Sequence, residues 1–453
     1  MQKSEQLGQA PIGQLLRQQA VPASIGILVM SIYGIVDTIF VGNYVGAVAI
    51  GAITVVLPIT FLISSIGMAI GIGGSSIISR ALGKEDKPHA IRTFGNQVSL
   101  NIIIATLVVI AGIFLQDEIL KLFGAQGETL VAAQEYFRII LPGVPFLAWA
   151  MMANTVIRAE GEPRIAMVSM MVPAIINLIL DPVFIIWLDM GLTGAALATS
   201  IAYLSAALFT SWYFFFSGRS SMRITWDCLR LRADIVKEIF SLGAVTLARQ
   251  GVIAILSIIL NNALFAYGGA LAMSAYGIIQ RLMMFANFPV LGITQGFLPI
   301  AGYNYGAQKW QRVRQTIRLS LISGTIIASI TFAAIMIFTP QIARFFTFEQ
   351  DLIDLAVPAI RASFLATPLI LFQLIGSAYF QAIGKAVPAL LLTLTKQGFC
   401  LIPLLIILPP IMGLDGIFYA FPIADFISAS ICFFFLWRQM RSLGGEGELV
   451  NPV

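Results

Sequence analysis

Charged residues, histidine and cysteine are all scarce in this sequence of 453 residues. Asp, Glu, Lys and Arg together make up 11% of the chain, which has one histidine and three cysteines, whereas 58% of its residues are hydrophobic. So little charge excludes a soluble protein, because soluble domains carry about 25% charged residues. The one histidine, His89, lies in a basic loop and leaves no histidine cluster for a metal site. Cys228, Cys400 and Cys432 are expected to be reduced thiols rather than a disulfide framework.

Nucleotide-binding and enzymatic motifs are also missing. The Gly83-Lys84 pair lacks both the upstream glycine and the following Ser or Thr of a phosphate-binding loop, so ATP is not the expected energy source. An intramembrane prenyl-transfer enzyme would need clustered acids of the D-D-x-x-D type to hold a metal and a diphosphate, and the sequence has no such cluster. We therefore expect neither an enzyme nor a bound cofactor.

Long apolar runs fill most of the chain, whose mean hydropathy is +0.90. A helix needs about 20 apolar residues to cross the hydrocarbon core of a bilayer, and the sequence contains twelve such runs, bounded by charge, glycine or proline. The predicted fold is an all-α polytopic membrane protein with twelve transmembrane helices, of which the seventh and eighth cover residues 238–266 and 271–304. Internal prolines, including Pro22 in the first run, predict kinked or tilted helices.

Lys and Arg are distributed very unevenly between the predicted loops. Taken alternately, one set of connections carries twenty of them, and the opposite set carries only Lys121 and Arg344. Basic residues accumulate on the cytoplasmic side of membrane proteins, so both termini are predicted to be cytoplasmic, in the inner membrane of a bacterium or archaeon. The same bias explains the net charge of +5 without a nucleic-acid partner. Membrane lipids are the expected surroundings.

Two stretches about 223 residues apart resemble each other. The longest polar connection lies between them and is interpreted as a cytoplasmic linker, residues 218–237. It separates an N-lobe of helices 1 to 6 (residues 1–217) from a C-lobe of helices 7 to 12 (residues 238–453). Two pseudo-symmetric six-helix bundles around a polar site at mid-membrane are typical of secondary transporters. The residues in step are Arg138, Pro145, Asn154, Ala159 and Gly161 in the first half, and Arg361, Pro368, Ser377, Ala382 and Gly384 in the second.

The first half carries acidic residues at positions where the second half has none. In register, Asp37 falls opposite Asn262, and Asp181 falls opposite Pro403 or Leu404. An ionised side chain at the centre of a bilayer costs on the order of 3 kcal/mol. These two acids therefore have either a partner in helix packing or a role in transport.

The two acids are predicted to lie at a similar depth, near the outer ends of helices 1 and 5, which allows Asp37 and Asp181 to face each other. Asn177 lies one turn before Asp181 on the same helix face, and Thr199 in helix 6 lies at a comparable depth. Asn154 in helix 4 lies deeper toward the cytoplasm and is included as a further member. The five residues are predicted to bind the coupling ion, and the sequence leaves open whether that ion is H⁺ or Na⁺.

The chain resembles the multidrug and toxic compound extrusion (MATE) transporters, of the DinF-like branch, over essentially its whole length. The resemblance rests on the polar cluster just described, with the N-x-x-x-D spacing of Asn177 and Asp181, and on the proline of helix 1, Pro22. It implies the MATE fold, a V-shaped pair of six-helix bundles, and cation-coupled export of diverse organic compounds or drugs by alternating access. In such a cycle, ion binding would alter helix 1 at its proline kink. We expect a monomer.

The second half holds buried charge of another kind, and the NorM-like branch of the same family differs here. Helices 7 and 10 lack the mid-span acids of that branch, so a C-lobe cation site of that type is not expected. Lys396 and Asp425 lie near the middle of helices 11 and 12 and are expected to form an ion pair. Arg249 and Arg281 complete a predicted charge network, and they keep a runner-up function open, a flippase or exporter of a lipid-linked or anionic metabolite.

The predicted orientation places Cys228, in the linker, on the cytoplasmic side. A membrane-impermeant maleimide should leave Cys228 unlabelled in intact cells and should label it in inside-out vesicles, with Cys228→Ser as the control for the other two thiols. Labelling of Cys228 from outside intact cells would reverse the orientation.

Overall fold

The computed structural model describes residues 3–445, without the side chains of residues 3, 38, 39, 47, 444 and 445. Within this part of the chain the secondary structure is helical and contains no strand. Eleven helical segments are long and apolar enough to cross a membrane, and the longest of them contains two helices, so the prediction of an all-α fold with twelve helices is confirmed. The helices are α1 (Ile12–Tyr44), α2 (Ala47–Gly83), α3 (Lys87–Phe114), α4 (Gly127–Ala159), α5 (Pro163–Trp187), α6 (Gly191–Phe215), α7 (233–268), α8 (270–306), α9 (Trp310–Phe346), α10 (Gln350–Ala382), α11 (Ala386–Met412) and α12 (Leu414–Gly445).

The break between α7 and α8 is a single residue, Gly269. Its backbone has φ 61° and ψ −155°, a conformation that is nearly restricted to glycine. Without this break, the 74-residue segment Ala233–Gly306 would form a helix about 110 Å long, several times the thickness of a hydrocarbon core of about 30 Å. The seventh and eighth predicted spans are therefore separate helices with a very tight connection.

Irregular turns interrupt four of the helices, and each lies beside a proline. A 3₁₀ turn interrupts α4 at Leu141–Gly143, and another interrupts α10 at Thr367–Leu369. A π-helical turn ends α5 at Val183–Trp187, and a second one lies in α11 at Thr395–Leu401. Proline removes a backbone donor, and such turns let the freed carbonyls find new partners. Because π-helical turns are frequent at functional sites, we note that the first follows Asp181 and the second contains Lys396.

Glycines let α2 pack closely against α4. A Cβ added to Gly67 would lie 2.5 Å from the backbone oxygen of Ala148, and one added to Gly71 would lie 2.9 Å from the Cα of Met152. Membrane helices associate through small residues of this kind, because lipid gives no hydrophobic driving force between them. This contact fixes α4 on α2.

The helices form two compact units whose bounds differ from the predicted lobes. Unit 1 contains residues up to Gln6 and Ile25–Leu247, and unit 2 contains Leu7–Ser24 and the residues from Ala248 onward. The predicted division was 1–217, 218–237 and 238–453. The differences are that the first half of α1 packs within unit 2, and that the linker and the first part of α7 pack within unit 1.

A buried asparagine fastens the linker to α3. Asn96 is fully buried, and its Nδ2 donates to the backbone oxygens of Cys228 and Arg230 at 3.3 and 3.2 Å. Its Oδ1 accepts from the backbone N–H of Arg232 at 2.8 Å. One side chain thus satisfies three backbone groups of a loop segment that would otherwise depend on water.

A buried carboxylate fastens the start of the same linker. Glu160, in the turn between α4 and α5, is 4% exposed and accepts from the backbone N–H and hydroxyl of Ser221 at 2.7 and 2.8 Å. The hydroxyls of Ser220 and Tyr213 donate to the same carboxylate at 3.0 Å. Burial raises the pKa of Glu160, and these hydrogen bonds oppose that shift because they favour the charged form. The linker is therefore a packed part of unit 1.

The segment that precedes α1 is held in unit 2 in a similar way. Nη2 of Arg312 donates to the backbone oxygens of Ala10 and Leu7 at 2.7 and 3.2 Å, and Nδ2 of Asn304 donates to the oxygen of Leu7 at 2.9 Å. Nε of Arg312 also donates to Oδ1 of Asn304 at 2.8 Å. In unit 1, Asn96 binds the backbone just before α7, and in unit 2, Arg312 binds the backbone just before α1. Each of these two helices begins in one unit and ends in the other.

The contacts of Asn96 predict that Asn96→Ala loosens the linker. Three backbone groups lose their partner, and each hydrogen bond contributes about 1 kcal/mol, so trypsin should cleave the purified protein faster at Arg230 and Arg232. Asn101→Ala is the matched control, because Asn101 is also buried in α3 and makes no described bond to the linker. Equal cleavage rates in the two variants would show that Asn96 does not hold the linker.

Candidate functional site

Two acidic side chains meet inside unit 1. Asp37 lies in the second half of α1, and Asp181 lies near the end of α5, and the two carboxyl groups are within hydrogen-bonding distance of each other. Asp181 is 1% exposed. The structure therefore places together the two acids that the sequence predicted at a similar depth.

Asn177 and Thr199 join this pair. Nδ2 of Asn177 donates to Oγ1 of Thr199 at 3.4 Å, and both side chains are buried. Asn177 also comes within reach of Asp181, but the geometry is poor, and both carboxylate oxygens of Asp181 remain buried without a well-formed hydrogen bond among the described residues. Oxygen atoms left in this state attract a proton or a small cation.

Three tyrosines surround the acids, and sequence reasoning missed them. Tyr33 and Tyr203 interact electrostatically with Asp37, and Tyr136 also reaches the hydroxyl of Thr199. The positions of two of these tyrosines could have been predicted from the spacing of the sequence. Tyr33 lies four residues before Asp37 and Tyr203 lies four residues after Thr199, which places each pair on one helix face. Tyr136 had no such signal, since only the packing of α4 brings it to the site.

Asn154 lies beside this cluster but uses its amide elsewhere. Its Nδ2 donates to the backbone oxygen of Ala166 at 2.6 Å and to Oγ of Ser169 at 2.9 Å, and its Oδ1 accepts from Nε of Arg158 at 3.1 Å. No described hydrogen bond joins Asn154 to the two acids. It does line a small cavity of about 60 Å³ that Tyr33 and Tyr203 also line. Its predicted place in the ion site stays a prediction.

Pro22 lies inside α1, which continues through it as a helix. Proline lacks a backbone N–H, so this turn of α1 has one hydrogen bond fewer than a regular helix. The bound between the two units falls close by, between Ser24 and Ile25. The turn of α1 that proline weakens thus lies close to the point where the chain passes from one unit to the other. Its predicted role as a kink in the transport cycle stays a prediction.

The predicted charge network of the second half is only partly present as contacts. Nζ of Lys396, in the π-helical turn of α11, lies 2.5 Å from Oδ1 of Asp425 in α12. Arg249 and Arg281 have no acidic partner within ion-pair distance among the described residues. The sequence alone could not show that Lys396 is paired and the two arginines are not, because pairing depends on which helix faces meet. Among the described residues of unit 2, Lys396 and Asp425 therefore form a closed ion pair, and Arg249 and Arg281 stand apart from it.

The position that matches Asp37 in the second half carries no comparable site. Asn262 is exposed, and no described hydrogen bond involves its side chain. A site of paired acids is thus found in unit 1 and not in the described part of unit 2.

The profile of the family described as MatE matches the chain twice, over residues 22–183 and 247–407. The two matches have nearly the same length and confirm the internal duplication. The first match contains the residues from Arg138 to Gly161, and the second contains their equivalents from Arg361 to Gly384.

Known proteins resemble the chain over nearly its whole length. It is 27% identical to the multidrug export protein MepA of Staphylococcus aureus over 430 residues, which covers 94% of each chain. Among solved structures, a MATE in complex with MaL6 superposes with a TM-score of 0.93 at 25% identity, covering 98% of this chain and 100% of the other. An outward-facing multidrug resistance MATE family transporter superposes with a TM-score of 0.91 at 25% identity, covering 97% and 98%.

The contact between Lys396 and Asp425 predicts a strong dependence of each residue on the other. Lys396→Met should lower the melting temperature of the purified protein, because it leaves a buried carboxylate without its partner at a cost of about 3 kcal/mol. Adding Asp425→Asn should restore most of that loss. If the double variant loses as much stability as the two single variants added together, the two side chains are energetically independent.

Proposed function

Because the chain belongs to the MatE family of membrane transporters, we propose that it exports organic compounds in exchange for H⁺ or Na⁺ by alternating access. As a member of this family it is a multi-pass membrane protein and a transporter, not an enzyme. The observation that carries the proposal is the pair Asp37 and Asp181 in unit 1. Two carboxyl groups side by side, one of them almost fully buried, make little sense for packing alone, but they suit an ion that binds and leaves.

The chemistry of the pair supports ion coupling. Two adjacent carboxylates repel each other in an apolar interior, and either a shared proton or a bound Na⁺ removes that repulsion. The hydroxyl of Thr199 and the amide oxygen of Asn177 add neutral oxygen ligands, which both ions accept. H⁺ and Na⁺ would compete for the same oxygen atoms, so one site serves either ion.

The position of the acids links ion binding to α1. Asp37 lies in the part of α1 that packs in unit 1, whereas the residues before Ile25 pack in unit 2. A proton or cation that draws Asp37 toward Asp181 therefore acts on one side of the weakened turn at Pro22. This arrangement gives ion binding a direct route to the conformation of α1.

The relatives support small organic molecules as the exported substrates. MepA is named a multidrug export protein, and MATE structures have been solved with MaL6 bound. For this chain, diverse organic compounds are the proposed substrates, with both termini on the cytoplasmic side and a monomer as the working unit.

Arg249 and Arg281 favour a second candidate function, the export or flipping of a lipid-linked or anionic metabolite. A guanidinium without an acidic partner costs energy in a membrane helix, and an anionic substrate would supply the missing charge. The two functions differ in the charge of the substrate. Transport assays with one organic cation and one organic anion therefore separate them.

The test of the proposal is transport in proteoliposomes with a pH gradient and a Na⁺ gradient imposed separately. Asp37→Asn and Asp181→Asn should each abolish gradient-driven efflux of a fluorescent organic cation, because an amide cannot take up the coupling proton and removes a negative charge that would hold Na⁺. Both variants should still reach the membrane with a melting temperature close to that of the original protein.

Asn262→Ala is the matched control, since Asn262 holds the position of Asp37 in the other half. It should retain most of the transport. Similar losses in all three variants would contradict an ion site confined to unit 1, and unchanged efflux in both acid variants would remove the pair from the coupling mechanism.

A further inference from the structure

A groove with a polar end and an apolar end lies in unit 2. It has a volume of about 790 Å³. Its walls come from α9, α10 and α12. The lining residues are Gln311, Arg314, Gln315, Arg318, Leu321, Ile322, Phe372 and Met440.

The polar end of this groove falls at one surface of the membrane. Between Arg318 and Arg344, α9 contains 25 residues without Asp, Glu, Lys or Arg, which as a helix span about 37 Å. That length exceeds the hydrocarbon core of about 30 Å. Arg318 and, one turn earlier, Arg314 therefore lie at headgroup level, on the side that the Lys and Arg distribution predicts to be cytoplasmic.

The charge of the polar end is entirely positive. Arg314 and Arg318 are exposed and lie four residues apart, on one face of α9. No acidic residue lines the groove, and neither arginine has a described ion-pair partner. Gln311 and Gln315 add neutral donors beside them. Guanidinium groups bind phosphate through two N–H donors at once, so this end fits an anionic group such as a phosphate better than a neutral group.

The other end of the groove is apolar and runs into the membrane. Leu321 and Ile322 continue the same face of α9 beyond the arginines, and Phe372 lies across from them on α10. The ring of Phe372 packs edge to face against Phe433 of α12, with 5.7 Å between ring centroids. This contact holds the aromatic wall in place. An acyl chain lying here would cover side chains that are otherwise open to lipid.

We propose that this groove binds one anionic phospholipid, with its phosphate between Arg314 and Arg318 and an acyl chain along Leu321, Ile322 and Phe372. The occupant follows from charge complementarity at one end and continuity with the hydrocarbon at the other. Basic pockets between membrane helices on the cytoplasmic side bind such headgroups. The site concerns neither the exported substrate nor the coupling ion, so it does not depend on the proposed function.

The test is native mass spectrometry of the full-length protein in detergent, titrated with phosphatidylglycerol, phosphatidylcholine or soluble glycerol 3-phosphate. Phosphatidylglycerol should bind best. The double variant Arg314→Ala, Arg318→Ala should weaken its binding at least tenfold, because two favourable charges are lost. Replacing both arginines by lysine should preserve much of the binding, since the charge remains.

The control is Lys385→Ala with Arg438→Ala, which removes the same charge from two exposed residues of unit 2 that do not line the groove. It should bind phosphatidylglycerol as the original protein does. Equal weakening in the control would reduce the effect to overall charge and overturn the site. Glycerol 3-phosphate binding as tightly as the lipid, or unchanged lipid binding without the two arginines, would also overturn it.

Discussion

The site in unit 1 depends on two carboxyl groups, those of Asp37 and Asp181. They lie within hydrogen-bonding distance of each other inside a lobe of apolar helices. A single buried carboxylate can be satisfied by a hydroxyl or an amide, but two facing carboxylates need a shared proton or a cation between them. Asp181 has Asn177 within reach and still keeps both oxygens without a well-formed bond. Around this pair, α2 packs closely on α4, and a π-helical turn follows Asp181.

The second half shows what the same duplicated scaffold does without that constraint. Its buried acid, Asp425, is paired with Lys396 at 2.5 Å, and a pair of opposite charges neutralises itself. Such a pair leaves no net charge to bind a cation, whereas the two carboxylates of unit 1 repel each other unless a proton or a cation lies between them. Divergence of a few side chains has thus left the duplicated fold with a like-charged pair in one half and a self-neutralised pair in the other, and the exposed Asn262 marks the same difference at the position of Asp37.

Much of the fold could be predicted because its signals are periodic or local. Hydropathy gives the twelve helices, the spacing of residues such as Arg138 and Arg361 gives the duplication, and equal depth brings Asp37 and Asp181 together. What depends on which helix faces meet could not be predicted. Tyr136 joins the site only through packing, Asn154 is turned toward Ala166 and Ser169, and Arg281 has no described acid beside it. A single sequence fixes the depth of a residue in the membrane, but it does not fix the rotation of its helix.

The polar composition of the linker suggests a loose tether. Its contacts nevertheless make it part of unit 1. Because Asn96 and Glu160 hold it in unit 1, the linker is not a free tether, and the chain passes from one unit to the other within continuous helix, in α1 and in α7. The two places are not equivalent. In α1 the transition at Ser24 follows Pro22, where one backbone hydrogen bond is already missing, whereas α7 has no proline near Leu247. Bending should therefore cost less in α1, which is also the helix that carries Asp37. Asp37, the residue proposed to bind the ion, and the weakened turn at Pro22 are thus on the same helix, about four turns apart.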